Sequence, residues 1–148
     1  SAKIGALIAG ASEQQCELLY KFGYDLGLAF QIADDWLDTF GDQKVFGKAI
    51  GGDILNDKKT WLLTKAMEKD VDAVGKAMAL PSGTPERDKA KIDAVTAVYR
   101  DLGIDEDAKY EILKYTQKAM EHVGAIGLTR VETEILARYA DKLVGRTK

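Results

Sequence analysis

The chain has 148 residues but only one cysteine, one histidine and two prolines. A lone thiol, Cys16, excludes an internal disulfide and a cysteine-rich metal centre. A lone imidazole, His122, argues against a histidine-built zinc site and against a Ser-His-Asp triad. Excess positive charge is lacking as well. The 21 Lys+Arg face 24 Asp+Glu, for a net charge of −3, which is not the balance of a general nucleic-acid binder. No apolar run reaches the roughly 18–20 residues that span a bilayer, so no transmembrane segment is expected. The first residues do not read as a secretory leader, and a reducing cytoplasm is the expected location. Carboxylates, amines, hydroxyls and the backbone are left to carry the chemistry.

What is abundant is helix-forming. Ala, Leu, Lys, Glu and Asp dominate, β-branched runs are short, and the expectation is a single all-helical domain over 1–148. A short apolar segment, Lys3 to Ala9, is broken by Gly10. Ser12 with Gln15 has capping-box spacing, so a long helix should start there, run to about Phe40 and stop at Gly41. Asp42 to Gly52 reads as a loop. A helix of about 15–18 residues should begin near Asp53 and carry Trp61, Leu62 and Leu63. A shorter helix covers Val71–Ala79. Pro81 to Pro85 is the clearest break, with Thr84 as N-cap and Pro85 at the first helical position of a helix ending near Leu102-Gly103. Asp105 should cap the next, which reaches His122 or Gly124. Thr129 and Glu132 form a second capping box, opening a last helix to about Val144.

The long second helix holds the informative stretch, Gly27-Leu28-Ala29-Phe30-Gln31-Ile32-Ala33-Asp34-Asp35-Trp36-Leu37-Asp38. At about 100° per residue, Gly27, Phe30, Gln31, Asp34 and Asp38 share one face, with Asp35 at its edge. Phe22, Leu26, Ala29, Ala33 and Leu37 form an apolar face, and Tyr24, Leu28, Ile32 and Trp36 make the remaining side apolar too. A helix apolar nearly all round is usually buried. Carboxylates one turn apart lie about 5–6 Å from each other and repel by roughly 3 kcal/mol at an effective dielectric near 20. Such a strip needs cations, either protein amines or a hard metal ion such as magnesium, whose shell is completed by water and phosphate oxygens. The same pattern is also met as a plain solvated helix face.

The next stretch is Phe46-Gly47-Lys48-Ala49-Ile50-Gly51-Gly52-Asp53-Ile54-Leu55-Asn56-Asp57-Lys58. Its glycines permit tight backbone next to a helix start. Lys48 and Lys58 would bring ammonium groups to the acidic strip, making a pyrophosphate cradle, although the spacing is not that of a P-loop. A flexible loop with surface lysines, and Asp53 as a simple N-cap, is the alternative.

Together the two segments resemble the trans-type isoprenyl diphosphate synthases, or polyprenyl synthetases. Gly27 to Asp38 resembles their second aspartate-rich motif, F-Q-x-x-D-D-x-x-D, and Gly47 to Lys58 resembles the G-K-x-x-G-x-D-I-x-x-x-K stretch that follows it. The resemblance implies an antiparallel helical bundle of the isoprenoid-synthase type, of which this chain is about the C-terminal half. A first aspartate-rich motif has no counterpart here. The implied activity is Mg2+-dependent condensation of an allylic diphosphate with isopentenyl diphosphate. Asp34 would ligate magnesium directly, and Asp35 and Asp38 would act through waters or as support. Lys48 and Lys58 would bind the diphosphate, with Asp53 beside them, and Phe30 and Gln31 would line the cavity near the allylic cation. The family's homodimers suggest that Tyr20, Phe22 and Tyr24 form either a dimer face or core. Without its other half this chain is expected to be inactive. A terpene cyclase of the same fold and a non-catalytic helical partner subunit stand as alternatives. Cys16, Trp36 and Trp61 read as packing residues, and His122 as a helix C-terminal residue.

Overall fold

The computed structural model describes residues 1–41 and 50–145. Its described residues form eight helices and no strand: α1 Ala2–Ile8, α2 Glu13–Phe40, α3 Gly52–Leu55, α4 Trp61–Lys69, α5 Val71–Met78, α6 Pro85–Asp101, α7 Ile104–Ala125 and α8 Arg130–Val144. The all-α class read from composition is what the chain adopts. Lys48, Phe46, Gly47 and most of the expected 42–52 loop lie outside the described residues.

Helix boundaries follow the local chemistry of their ends. Ser12 and Gln15 exchange bonds reciprocally, the Ser12 N–H donating to Gln15 Oε1 at 3.0 Å and the Gln15 N–H to Ser12 Oγ at 3.3 Å. Thr84 accepts from the Arg87 N–H ahead of Pro85, and Thr129 with Glu132 completes a full capping box. These side chains satisfy amide donors that a helix start leaves without partners.

Two expectations change. The single helix foreseen from Asp53 is split into α3 and α4. Asp57 adopts φ 48°, which ends α3, and Thr60 starts a new helix by accepting from the Leu63 N–H at 3.0 Å. Asp105 is not a cap but lies in the first turn of α7, where its carboxylate accepts from the Trp36 indole at 2.6 Å.

The helices group into two compact units. Of the described residues, one unit comprises 1–31 with 110–145, the other 32–41 with 50–109. α2 and α7 contribute to both, so neither crossing carries the Pro/Gly-rich signature of a linker. In the first unit Cys16, Phe22, Leu26, Ala29, Ala119, Val123, Ile126 and Ala140 are buried. Tyr20 and Tyr24 are exposed and stacked, with ring centroids 6.4 Å apart, whereas Phe22 belongs to the core. In the second unit α5 packs on α4 and α6, and α3 rests on α6. Its core holds Ile32, Ala33, Leu37, Ile54, Leu62, Ala66, Val74, Val95, Tyr99 and Ile104.

Leu62, fully buried in α4, tests that core. Leu62→Ala should lower the urea-unfolding free energy by roughly 2–5 kcal/mol, whereas Leu62→Met should cost under about 1.5 kcal/mol.

Candidate active site

The end of α2 is locked by its apolar residues. Ala33 and Leu37 point into the second unit's core, and the bond from Trp36 to Asp105 fixes the helix about its axis. With rotation fixed, the three aspartates take three different environments. Asp34 is exposed, Asp38 is half-buried, and Asp35 is 2% exposed.

Asp35 is enclosed but well supplied with donors. Its Oδ2 accepts from the Trp61 backbone N–H at 2.9 Å, the first amide of α4. Its Oδ1 accepts from the Lys58 ammonium at 3.2 Å. Asp38 does similar work one turn on. Its Oδ2 accepts from the Asp53 N–H at 2.8 Å, and its backbone carbonyl from the Gly51 N–H at 2.6 Å. Gly51, the N-cap of α3, has no side chain to offer, so a carboxylate from α2 caps that helix instead. Gly51 must be glycine: its φ is +86°, and a Cβ there would stand 2.5 Å from Ile92. Lys58 closes the clasp, its ammonium lying 2.7 Å from Asp53 Oδ2 as well as against Asp35.

The lysine and Asp38 carry opposite electrostatic signatures. Lys58 is pushed up from its ordinary 10.5 to about 12, first by its hydrogen bond to Asp53 and, against its desolvation, by Asp35. The Asp38 carboxyl is held above its ordinary 3.8, first by burial. The Asp53 N–H and Lys58 oppose that rise, while the charges of Asp53 and Asp34 add to it. Folding therefore works against the ionised form of Asp38, and a cation beside it would relieve the penalty. The donors are carboxylate oxygens, which suit a hard divalent ion such as magnesium held by one or two carboxylates. They fit such an ion through Asp34 and Asp38. Among the described residues, however, no three acidic, histidine or cysteine side chains converge into a metal-holding group. Asp35, expected to act through waters or as support, turns inward to the Trp61 N–H and Lys58.

The remaining expected residues are distributed along α2 and beyond. Phe30 and Gln31 are exposed, at the end of the first unit's share of α2. Gly27, Phe30, Gln31 and Asp34, which the helical period places on one face, are all exposed and leave that side of α2 open. Asp53 lies in the first turn of α3, not at its cap, and its carboxylate takes Lys58. Lys59 is exposed.

Sequence reasoning missed two charged residues inside the units. Asp25 is 5% exposed, and its Oδ2 lies 3.0 Å from His122 Nε2. It stands among Phe22, Leu26 and Ala29, and a carboxylate flanking that stripe together with the chain's one histidine was the available signal. Lys91 is 4% exposed and pairs with Asp57. Its spacing of four and eight residues from Val95 and Tyr99 marks the inward register of α6.

The sequence profile described as "Polyprenyl synthetase" matches residues 1–102. The chain belongs to the polyprenyl synthetase family. This polyprenyl synthetase chain is 32% identical to the geranylgeranyl diphosphate synthase of Methanosarcina mazei over 148 residues, covering 99% of the chain and 43% of that protein. It is 29% identical to the geranylfarnesyl diphosphate synthase of Aeropyrum pernix, covering 100% of the chain and 46% of that protein. A crystal structure of a geranylgeranyl pyrophosphate synthase superposes with a TM-score of 0.87 at 36% identity, over 99% of this chain and 46% of the other. The Corynebacterium glutamicum enzyme, solved with isoprenyl diphosphate and magnesium, gives 0.82 at 30% identity, over 96% and 40%. The fold is thus that of the isoprenyl diphosphate synthases, and the chain spans less than half the length of these relatives. Among the described residues no helix is long and apolar enough to cross a membrane.

The clasp makes two predictions. Asp35→Ala should lower the urea-unfolding free energy by roughly 2–3 kcal/mol, because it strips partners from Trp61 N–H and Lys58, whereas Asp34→Ala should stay within about 0.5 kcal/mol. Lys58 has a folded pKa above its unfolded value, so its contribution is complete below about 10.5 and is lost as pH rises through about 12. The stability difference between wild type and Lys58→Met, followed by urea unfolding at successive pH values, should shrink across that window.

Proposed function

We propose that this chain is the diphosphate-holding half of a chain-elongating trans-prenyltransferase that joins an allylic diphosphate to isopentenyl diphosphate and releases pyrophosphate. One observation carries the reading: Lys58 is held at 3.2 Å by Asp35 and 2.7 Å by Asp53, beside the acidic strip that the family resemblance assigns to substrate.

Asp34 and Asp38 would hold magnesium, which when bound supplies positive charge to the departing diphosphate oxygens. Lys58 donates to those same oxygens, and its two carboxylate partners keep it ordered before the substrate arrives. Lys48, outside the described residues, is assigned the same partner from the G-K pattern. The allylic C–O bond breaks with its electron pair leaving on pyrophosphate. The π electrons of isopentenyl diphosphate form the new C–C bond to the allylic cation, and a proton then passes to pyrophosphate. Gln31 offers a carbonyl dipole and Phe30 a ring face to the cation. The complete catalyst is proposed to be a homodimer in which a further segment supplies the other metal-binding carboxylates, so the isolated chain should be inactive.

A chimera carrying this chain in place of the matching segment of the Methanosarcina mazei enzyme tests the reading. It should incorporate labelled isopentenyl diphosphate in the presence of magnesium, and Lys58→Ala should lower its kcat/KM by roughly 10²–10³-fold. A folded chimera that is silent, or one indifferent to Lys58→Ala, refutes the assignment. Robust condensation by the 148-residue chain alone refutes the need for another segment.

A further inference from the structure

Lys91 takes no part in the mechanism above, yet it is the most deeply buried of the described lysines. It sits on α6 in register with Val95 and Tyr99, both buried, and is itself 4% exposed. Enclosing an ammonium costs free energy unless a counter-charge meets it. That counter-charge is Asp57, whose Oδ1 lies 3.0 Å from Lys91 Nζ. Asp57 has an exposed side chain that could have turned to water. It is also the one non-glycine residue with positive φ among the described residues, at 48°.

Lys58 holds the segment that Asp57 occupies from one side, through Asp35 and Asp53, and Lys91 holds it from the other. α3 has four residues, too few to persist without tertiary support. Residues 56–59 are exposed. Within that turn the Lys58 N–H donates to the Asp53 carbonyl at 3.0 Å, and the Thr60 N–H to the Lys58 carbonyl at 2.8 Å. Fixing Asp57 therefore fixes the stem from which Lys58 reaches Asp35 and Asp53. It also fixes where Trp61 presents its N–H.

We propose that Lys91 is a positioning residue of the diphosphate site, which anchors Asp57 from beneath and so holds the 56–60 turn with the Lys58 ammonium already aimed. The inference rests on the reading of Lys58 as a diphosphate ligand. An unanchored lysine loses side-chain entropy on being ordered by its ligand, and the anchor moves that cost into folding.

The test measures affinity for inorganic pyrophosphate, with saturating magnesium, by calorimetry on the chimera with the Methanosarcina mazei enzyme, in which the other metal-binding carboxylates are supplied. The variants are Lys91→Met, Asp57→Asn, their double and Lys58→Met, each also unfolded in urea. Met keeps the unbranched stem, and Asn tolerates positive φ, so Asp57→Asn remains informative if Lys91→Met does not fold. Lys58→Met should weaken binding more than either other single variant. Lys91→Met and Asp57→Asn should each weaken it about tenfold, at temperatures where both are fully folded, and the double should be no weaker than either single. Reduced stability with unchanged affinity in both single variants would make the pair merely structural and overturn the inference alone. No binding by wild type, or equal binding by wild type and Lys58→Met, would remove the diphosphate reading itself and this inference with it.

Discussion

The described part of the site depends on one enclosed carboxylate. Asp35 lies in a core-facing position of α2, where an ionised group survives only if donors surround it. It is met by the first amide of α4 and by the Lys58 ammonium. Both donors lie more than twenty residues further along the chain, so the charge cannot be satisfied until the 51–61 segment has closed over α2. The cost of burying one carboxylate thereby becomes a condition on where a neighbouring lysine ends up.

The same logic divides labour within the acidic strip. Three aspartates at positions 34, 35 and 38 of one helix point about 100° or one turn apart, so they cannot share a single environment once the helix is fixed by Trp36 and its apolar face. Asp35 and Asp38 become caps in trans, serving the starts of α4 and α3. Negative charge at a helix start is also favoured by the helix dipole. Asp34 is presented outward. A motif that looks like a symmetrical cluster is, in this half of the fold, three carboxylates in three settings: Asp35 enclosed, Asp38 half-buried against the start of α3, and Asp34 outward.

Much of this was legible in the residues. Helix ends with a side-chain cap, at Ser12, Thr84 and Thr129, were placed to within a residue or two because their chemistry is local. That Lys58 would reach the acidic strip followed from motif spacing and family resemblance, whereas its pairing with Asp53 did not. The split between α3 and α4 was not legible, because it depends on Asp57 tolerating a left-handed backbone and on Asp35 capping Trp61 from another helix. Asp105 was misread as a cap for the same reason: its partner, Trp36, is distant in sequence. Lys91 and Asp25 were passed over because charged residues are expected at the surface, and their inward register competes with that prior. Lys48 carries as much of the sequence argument as Lys58, and it falls outside the described residues.

The clasp also constrains how an anionic guest can be accepted. Lys58 gives its ammonium to two carboxylates, so on the proposed reading a diphosphate would not meet an idle charge but share a donor already paired. What keeps such sharing favourable is the surplus of negative charge around it: Asp34, Asp35, Asp38 and Asp53 stand against one described lysine, and the Asp38 carboxyl is already held above its ordinary value. A divalent cation arriving with the guest offsets that surplus and the guest's own charge together, whereas an anion alone would add to it. On the proposed reading, metal and diphosphate therefore bind with strong positive coupling, each weak without the other. The coupling follows from the excess of carboxylates rather than from any conformational change.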